Sequence, residues 1–462
     1  MRLILGICVT LLACGRIGYE PLPEVDEGEI PGEEDRDEDV CLAARFGDGK
    51  EGSVRIETGT QRILNASTRI QEGLAAGADT VPFADIPDLA VTSALRAGSV
   101  VLFWQTQLAV EVSRGGNHEA RDPSQAPRFG YHETRRVAEV AEGHIRLCAP
   151  LSAEYAPGAQ MVVVPQYASL EVEPDAVVIA DGWNGAHGGM VALMVQGALT
   201  VDGRISSSGL GFRGGEYRDR GAGEIDCESQ DYGHVGEGFG AGFGETVLGT
   251  PNYGSGGGAA ICANDGGAGG GGWAKGGRGG RKEGGSNALS QGGQGVASPA
   301  GYLALGGGGG AGSGNQNAGT GGAPGGGVTW IRAARIEGLG NISASGGASM
   351  PGNRNGGRDG SGGGGGGGTI DLFTSELAFL CSGFSARGGA AAAAASTIGA
   401  GGGGGGGLVR FAGELQVAPD CGPRIDGGPR GNTHNASPGP EDGMPGHFAV
   451  TPWREVPQAT AP

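Results

Sequence analysis

The sequence predicts an all-β protein, with a small N-terminal β domain followed by a glycine-rich β region. Short apolar runs alternate with polar residues at a period of two, which fits strands and does not fit helices. Glycine accounts for 103 of the 462 residues, and nearly all of the excess lies between residues 182 and 446. Seven consecutive glycines, Gly362–Gly368, stand directly before a strand-like run. This arrangement predicts strands that hold glycine segments in place.

Residues 41–174 have an ordinary composition and are predicted to form the small all-β domain. The runs SVRIE, SVVLFWQ and AQMVVVPQYASLEVE are separated by turn residues and indicate strands. The run VAEVAEGHIRL, Val137–Leu147, predicts a hairpin with a three-residue connection. The only helix expected in this part is a short one near Thr68–Ala76.

Residues 175–425 are predicted to form a glycine-rich β-repeat domain, and residues 426–462 a mostly irregular tail. Each copy of the repeat consists of two glycines, an alternating strand, a second short strand and a Ser/Ala-rich return to glycine. The copies begin at Gly188, Gly326, Gly367 and Gly406, and the last is truncated. This spacing predicts a stack of similar β units with glycine between them.

The glycine runs are the most demanding part of this prediction. Ordering seven residues costs roughly 7–14 kcal/mol of backbone entropy, and net hydrogen bonds of about 1 kcal/mol each barely offset it. A run fixed at both ends by strands has already lost part of this freedom, and we expect it to form a polyglycine-II-like helix with three residues per turn. A parallel β-helix or solenoid, and a β-scaffold with disordered glycine loops, remain alternatives. Ala390–Ala395 is too short for a stable helix and is predicted to be rod surface or turn.

The amino terminus carries a predicted export signal. Arg2 precedes an apolar stretch, Leu3–Ala13, which is too short to span a bilayer but fits a signal peptide of residues 1–13. The motif Leu11-Leu12-Ala13-Cys14 resembles the lipobox of bacterial lipoproteins. The resemblance implies cleavage before Cys14, acylation of Cys14 (palmitate among its chains), and a membrane anchor. Gly15, in place of aspartate, implies the outer membrane and the cell surface of a Gram-negative bacterium.

Residues 14–40 are predicted to be an acidic, disordered tether behind the lipidated cysteine. The segment Glu20–Val40 holds eleven carboxylates and a single arginine, Arg36. Such a block of like charge with prolines stays extended. An acidic calcium-binding patch is the alternative for this segment. The formal net charge of -18 argues against nucleic acid or anionic lipid as a partner, because both would be repelled.

Six cysteines remain after the signal peptide and Cys14, and an even number in an exported chain predicts disulfide bonds. None of them stands in a CxxC pair, which disfavours zinc ribbons and thioredoxin-like chemistry. The connectivity is open in the sequence. Pairing of near neighbours is favoured, which joins Cys41 with Cys148, Cys227 with Cys262, and Cys381 with Cys421.

The sequence predicts neither a catalytic constellation, nor a cofactor, nor a metal site. The motifs GxSxG, HExxH and GxxxxGK[ST] are absent, and the seven histidines show no ligand spacing. Asp79, Asp85 and Asp88 are interpreted as solvated loop residues. Asp265 and Asp359 lie in glycine-rich stretches that faintly resemble calcium-binding nonapeptides, but aspartate does not recur at that period.

Three tryptophans, Trp183, Trp273 and Trp330, lie near glycine runs. Exposed indoles would stack on sugars, whereas buried ones would clamp the glycine rods. The sequence favours the clamping role.

The glycine-rich half resembles two kinds of protein. The segments GGGGGGGTI, GFSARGG and GGGGGGGLVRF are similar to PGRS-type glycine-rich bacterial surface proteins. They are also similar to the glycine-rich extracellular region of the anaplastic lymphoma kinase and leukocyte tyrosine kinase receptors. No kinase segment is present. The resemblance implies glycine helices bundled beside β-sheets, in a cell-surface setting.

These features together predict a non-catalytic, lipid-anchored surface protein with a structural or adhesive role and a glycan or another surface protein as partner. The alternative is an extracellular β-helix that binds or cleaves polysaccharide. Such an enzyme would carry clustered acidic and basic residues on successive coils, and the repeats carry mostly scattered single charges.

Overall fold

A computed structural model of the chain describes residues 41–42, 45–108, 129–217, 233–240, 254–282, 289–296, 301–314, 318–350, 359–394, 397–413, 421–432 and 439–451. Within these residues strands far outnumber helices, so the predicted all-β class is confirmed. The described residues contain one α-helix, α1 Leu89–Ala94. The strands are β1 Ser53–Ile56, β2 Gln61–Ile63, β3 Ser67–Arg69, β4 Thr80–Pro82, β5 Val100–Trp104, β6 His132–Ala141, β7 His144–Leu147, β8 Gln160–Val164, β9 Gln166–Tyr167, β10 Ser169–Val172, β11 Val177–Ile179, β12 Met190–Val201, β13 Arg204–Ser206, β14 Val328–Gly338, β15 Asn341–Ser343, β16 Thr369–Phe379, β17 Phe384–Ser385, β18 Leu408–Ala412 and β19 His447–Thr451.

The largest sheet, called the first sheet below, is parallel and follows the order of the chain. Its strands run β1-β10-β12-β14-β16-β18-β19, and β9 pairs with β12 beside β10. The second sheet is also parallel, with the order β2-β11-β13-β15-β17. Each long strand of the first sheet from β12 to β16 is followed by a short strand of the second, as the repeat predicts.

The predicted repeat copies stack in the register of the sequence alignment. Met190 pairs with Val328, Val328 with Thr369, and Thr369 with Leu408. Each of these four residues is the third of its copy. The strand pairing thus follows the alignment of the copies, and β19 adds a further parallel strand within the segment expected to be mostly irregular.

The two parallel sheets enclose one hydrophobic core. Alternate residues of the first sheet, such as Leu193, Ile331 and Leu372, point toward Ile205 and Ile342 of the second sheet, and all five are fully buried. Side chains alternate between the two faces of a strand, so one face of the first sheet fills this core. The other face is left for a second layer.

A third, antiparallel sheet covers that other face, with the order β3-β8-β5-β6-β7-β4. Leu102 and Trp104 of β5 pack with Met194 and Trp330 of the first sheet. The opposite face of β5 packs in a third core, which includes Val91 of α1. The hydrophobic layers therefore alternate with sheets through the molecule.

Two local predictions for residues 41–174 need correction. The hairpin of β6 and β7 is present, but its connection has two residues, because Ala141 pairs with His144. The short helix expected near Thr68–Ala76 does not form. Thr68 lies in β3 and pairs with Met161, and the left-handed φ of +91° at Gly73 suits a turn rather than a helix.

The segment 41–174, predicted as a separate domain, shares the first sheet with the glycine-rich region. Strand β10 lies before the expected boundary and pairs with β12, which lies after it. All described residues fall within one compact unit, Val40–Pro462. The physical reason is that β12 occupies the hydrogen-bonding edge of β10, so the two segments form one continuous sheet.

Candidate functional site

The glycine runs are joined by backbone hydrogen bonds that change partner with a period of three. Successive N–H groups of Gly363–Gly368 donate to three different neighbouring segments and then return to the first, whereas the Gly362 N–H donates to the Thr320 hydroxyl. The acceptor carbonyls, in order from the Gly363 N–H to the Gly368 N–H, belong to Gly310, Gly402, Gly347, Gly307, Gly405 and Ala344, at 2.8–3.0 Å. The backbone N–H groups of a strand alternate between two directions, whereas those of a chain with three residues per turn point in three directions. The runs are therefore distinct from the strands that they adjoin.

The carbonyl groups of the same run accept from three further segments. The N–H groups of Gly326, Gly270 and Gly389 donate to the carbonyls of Gly366, Gly364 and Gly365, at 2.8, 2.9 and 2.7 Å. Gly362–Gly368 thus has six bonded neighbours. Gly306–Gly312 and Gly401–Gly407 repeat the pattern of donation with the same period. We call this assembly of three runs and their neighbours the glycine lattice.

Close backbone approach explains why these positions are glycine. A Cβ atom at Gly363 would lie closer than 3.0 Å to the carbonyl oxygen of Ala268, and one at Gly404 equally close to that of Gly365. Real Cβ atoms essentially never approach other atoms so closely. The same requirement makes glycine obligatory at the crowded axis of collagen. The close packing of the glycine lattice therefore requires glycine at these positions.

Strands fix the ends of the runs. Gly368 is followed by Thr369 of β16, and Gly407 by Leu408 of β18. The three central runs are buried along their whole length.

Ala390–Ala394 are not helical, as predicted, and the N–H groups of Ala391 and Ala394 donate to the Pro429 and Asn432 carbonyls. Ala395 lies outside the described residues.

Two of the three tryptophans are buried, which leaves their rings no surface for stacking on a sugar. The Trp183 Nε1–H donates to Glu237 at 2.9 Å, and Trp330 is fully buried between the first and third sheets. Trp273 is half-buried and stacks on His447, with the ring centroids 5.1 Å apart. It also lines a cavity of about 10 Å³, room for about one water molecule. Trp273 is thus the only one of the three with ring surface left for a ligand.

Two of the three favoured disulfide pairs are present. Cys41 is bonded to Cys148 and Cys381 to Cys421, with Cα atoms 5.4 and 5.2 Å apart. Cys262 is also disulfide-bonded, and Cys227 lies outside the described residues. Closing loops of this size contributes roughly 3.5–5 kcal/mol each in the chain-entropy model.

The aspartates considered for metal binding have structural partners instead. Asp88 caps α1 by accepting from the Ala90 N–H at 2.8 Å, and Asp85 is buried rather than solvated and accepts from the Glu72 N–H. Asp359 accepts from the Tyr217 hydroxyl at 2.9 Å. Across the part of the chain that the structure describes, no three His, Cys, Asp or Glu side chains converge to hold a metal ion.

Asp265 is a buried carboxyl group within the glycine lattice. It accepts from the N–H groups of Cys262 and Lys282, at 3.0 and 2.8 Å. Burial raises the pKa of Asp265 to about 7, although the two hydrogen bonds and the nearby Arg281 and Lys282 oppose this rise. The carboxyl group therefore changes charge near neutral pH.

This shift predicts that stability falls as the pH rises. The folded chain holds the Asp265 proton to a higher pH than the unfolded chain, whose aspartates titrate near about 4. The resulting stabilisation is complete below about pH 4 and is lost as the pH rises through about 7, on the order of a few kcal/mol in all. Urea unfolding between pH 4 and 8 measures it. Asp265→Asn should flatten this dependence of stability on pH, whereas the exposed control Asp426→Asn should leave the dependence unchanged. An unchanged profile in Asp265→Asn would contradict the assignment of the dependence to Asp265.

One group of buried charged side chains was not predicted from the sequence. It consists of Asp371, Arg332 and Arg410, and we call it the buried charge cluster. Asp371 accepts from Arg332 and Arg410, each at 2.8 Å, and all three side chains are at least nine-tenths buried. Burial alone would raise the pKa of Asp371, but the two guanidinium groups outweigh it and hold the pKa well below its ordinary value. A signal existed, because Asp371 and Arg410 occupy the same position of aligned repeat copies and both interrupt an apolar run.

Comparison with family models, with curated proteins and with solved structures finds no match to this chain. The predicted lipidation site, Cys14, and the acidic tether lie outside the described residues. Among the described residues, no helix is both long enough and apolar enough to cross a membrane.

Proposed function

We propose that this chain is a non-catalytic, lipid-anchored protein of the outer membrane with a structural or adhesive role on the cell surface. Its glycine runs would form a bundle of polyglycine-II-like helices, held at their ends by parallel strands. The hydrogen-bond period of three in Gly362–Gly368 is the observation that carries the proposal. A surface protein gains from such a bundle because it is rigid and offers few side chains to proteases.

The balance of free energy supports an ordered bundle. Each glycine costs roughly 1–2 kcal/mol or more to order and buries no side chain. Hydrogen bonds return about 1 kcal/mol each, so the runs depend on the apolar strands that follow them. Leu372 and Phe411 are fully buried on such strands. The sheets would therefore supply the stability that keeps the buried glycine runs ordered.

Anchoring at Cys14 gives a direct test. The mature chain should begin at Cys14, with acyl chains that add the corresponding mass, because several buried chains anchor a protein almost permanently. Mass spectrometry of the mature amino terminus measures this. Cys14→Ser should move the protein from the membrane to the soluble fraction, whereas Cys262→Ser should leave it in the membrane. An unmodified Cys14 would refute the anchor.

A polysaccharide-binding or polysaccharide-cleaving β-helix is the second candidate. The in-register parallel stack of β12, β14, β16 and β18 favours it. The half-buried Trp273 offers one aromatic ring for a sugar. A glycan-binding screen with the native chain and Trp273→Ala tests for a sugar site at this ring, and an assay of polysaccharide turnover separates the two candidates. Turnover of any polysaccharide would defeat the non-catalytic proposal.

A further inference from the structure

The buried charge cluster carries an unbalanced positive charge. Two guanidinium groups, of Arg332 and Arg410, share the single carboxylate of Asp371. Among the described residues, no second carboxylate pairs with either guanidinium group. Taking an uncompensated charge out of water is expensive, so buried charges are normally paired. The cluster therefore lacks one negative charge.

Polar atoms without partners face the same space from the third sheet. His132 and Thr134 pair with Trp104 and Leu102 of β5, so their side chains point to the core shared with the first sheet. Both ring nitrogens of His132 and the Thr134 hydroxyl are buried and make no hydrogen bond of normal geometry. The Gly130 backbone has only a weak interaction with the His132 ring, smaller than the effects of burial and of the neighbouring charges. Such groups normally have a partner, whether protein, water or ion.

The first sheet contributes one more unpartnered donor. Trp330 Nε1 is buried without a hydrogen bond, and the Trp330 ring lies 4.1 Å from the guanidinium carbon of Arg332. Trp330 is the register partner of Asp371 on the adjacent strand. Unpartnered polar atoms and excess positive charge thus occur on facing surfaces of the two sheets.

His132 is close enough to the cluster to respond to its charges. Burial lowers the pKa of His132 to about 3; Asp371 opposes this change, and Arg410 and Arg332 add to it. The imidazole is therefore neutral at physiological pH and has one N–H to donate. The neutral imidazole cannot balance the excess positive charge of the cluster, but its N–H group can donate a hydrogen bond to an anion.

We propose that one small monovalent anion, of the size and charge of chloride, binds between the first and third sheets. The Trp330 Nε1–H and the His132 N–H would donate to it, and Arg410 would supply the balancing positive charge. Water would satisfy the donors but not the charge, and the two guanidinium groups would repel a cation. The anion would hold the third sheet on the first.

Anion-dependent unfolding tests this proposal. Urea unfolding is measured at constant ionic strength while chloride replaces gluconate. A ligand that binds only the folded chain stabilises it by mass action, so we expect the logarithm of the folding constant to rise with that of chloride concentration at a slope of about one. Arg410→Gln, which leaves the neutral pair Arg332–Asp371, should abolish the slope. Arg387→Gln, which removes an exposed guanidinium group, should keep it.

Bromide in crystals of the native protein gives a second measurement that does not depend on a variant. An anomalous peak within hydrogen-bonding distance of Trp330 Nε1 is the expected result. A folding constant indifferent to chloride, a slope retained by Arg410→Gln, or crystals without a bromide peak between the sheets would each overturn the proposal. If Arg410→Gln does not fold, the native chloride series and the bromide peak decide.

Discussion

Replacing Gly363 by alanine is expected to lower the free energy of unfolding by about 3 kcal/mol or more. The added methyl group would lie closer than 3.0 Å to the carbonyl group of Ala268 and to the Gly269 nitrogen, and these backbone atoms cannot move aside as the end of a flexible side chain would. Overpacking of a well-packed interior costs typically about 1–3 kcal/mol, and more when backbone must move. Urea unfolding of the variant and the native chain measures the difference.

Gly182→Ala is the matched control for this substitution. Its Cβ would meet only Leu210 Cδ2, at 3.6 Å, which is ordinary van der Waals contact, and no left-handed φ is required. We expect a change within about 0.5 kcal/mol. Equal effects of the two substitutions would mean that the lattice positions accept side chains, and would contradict the close packing of the runs.

Replacing Asp371 by asparagine is expected to cost about 3–5 kcal/mol. The change keeps the shape of the side chain but leaves the guanidinium groups of Arg332 and Arg410 buried without a carboxylate. Removing one partner of a buried ion pair is strongly destabilising for this reason. The same unfolding measurement, at fixed chloride concentration, gives the cost.

Asp426→Asn provides the comparison at the surface. Asp426 pairs with Arg387 at 2.9 Å, but the side chains are 67% and 50% exposed. Exposed pairs contribute at most about 1 kcal/mol. If Asp371→Asn costs no more than Asp426→Asn, the cluster is not shielded from water as the structure describes it.

The repeat could be predicted from the sequence to the residue. Two glycines mark the start of each copy, and the third residue of each copy, from Met190 to Leu408, pairs with its counterpart. Alternation at a period of two is a local signal, so strands and their faces follow from it. Two disulfide pairs followed from chain proximity in the same way.

Other features depend on contacts between distant segments and left no local signal. The third sheet packs on the first through Trp104 and Trp330, and nothing near either residue in the sequence specifies that contact. The partners that change every three residues along Gly362–Gly368 are also distant in the chain. The neutral His132 results from burial of the third sheet against the first, which composition cannot reveal.

Amide hydrogen exchange across Gly362–Gly368 and Gly401–Gly407 tests most directly whether the sheets order the glycine runs. A synthetic peptide that contains the same seven glycines gives the rate for unstructured backbone. We expect these amides to exchange as slowly as those of β16, because each donates a hydrogen bond and lies buried. Exchange at the rate of the free peptide throughout both runs would contradict the glycine lattice.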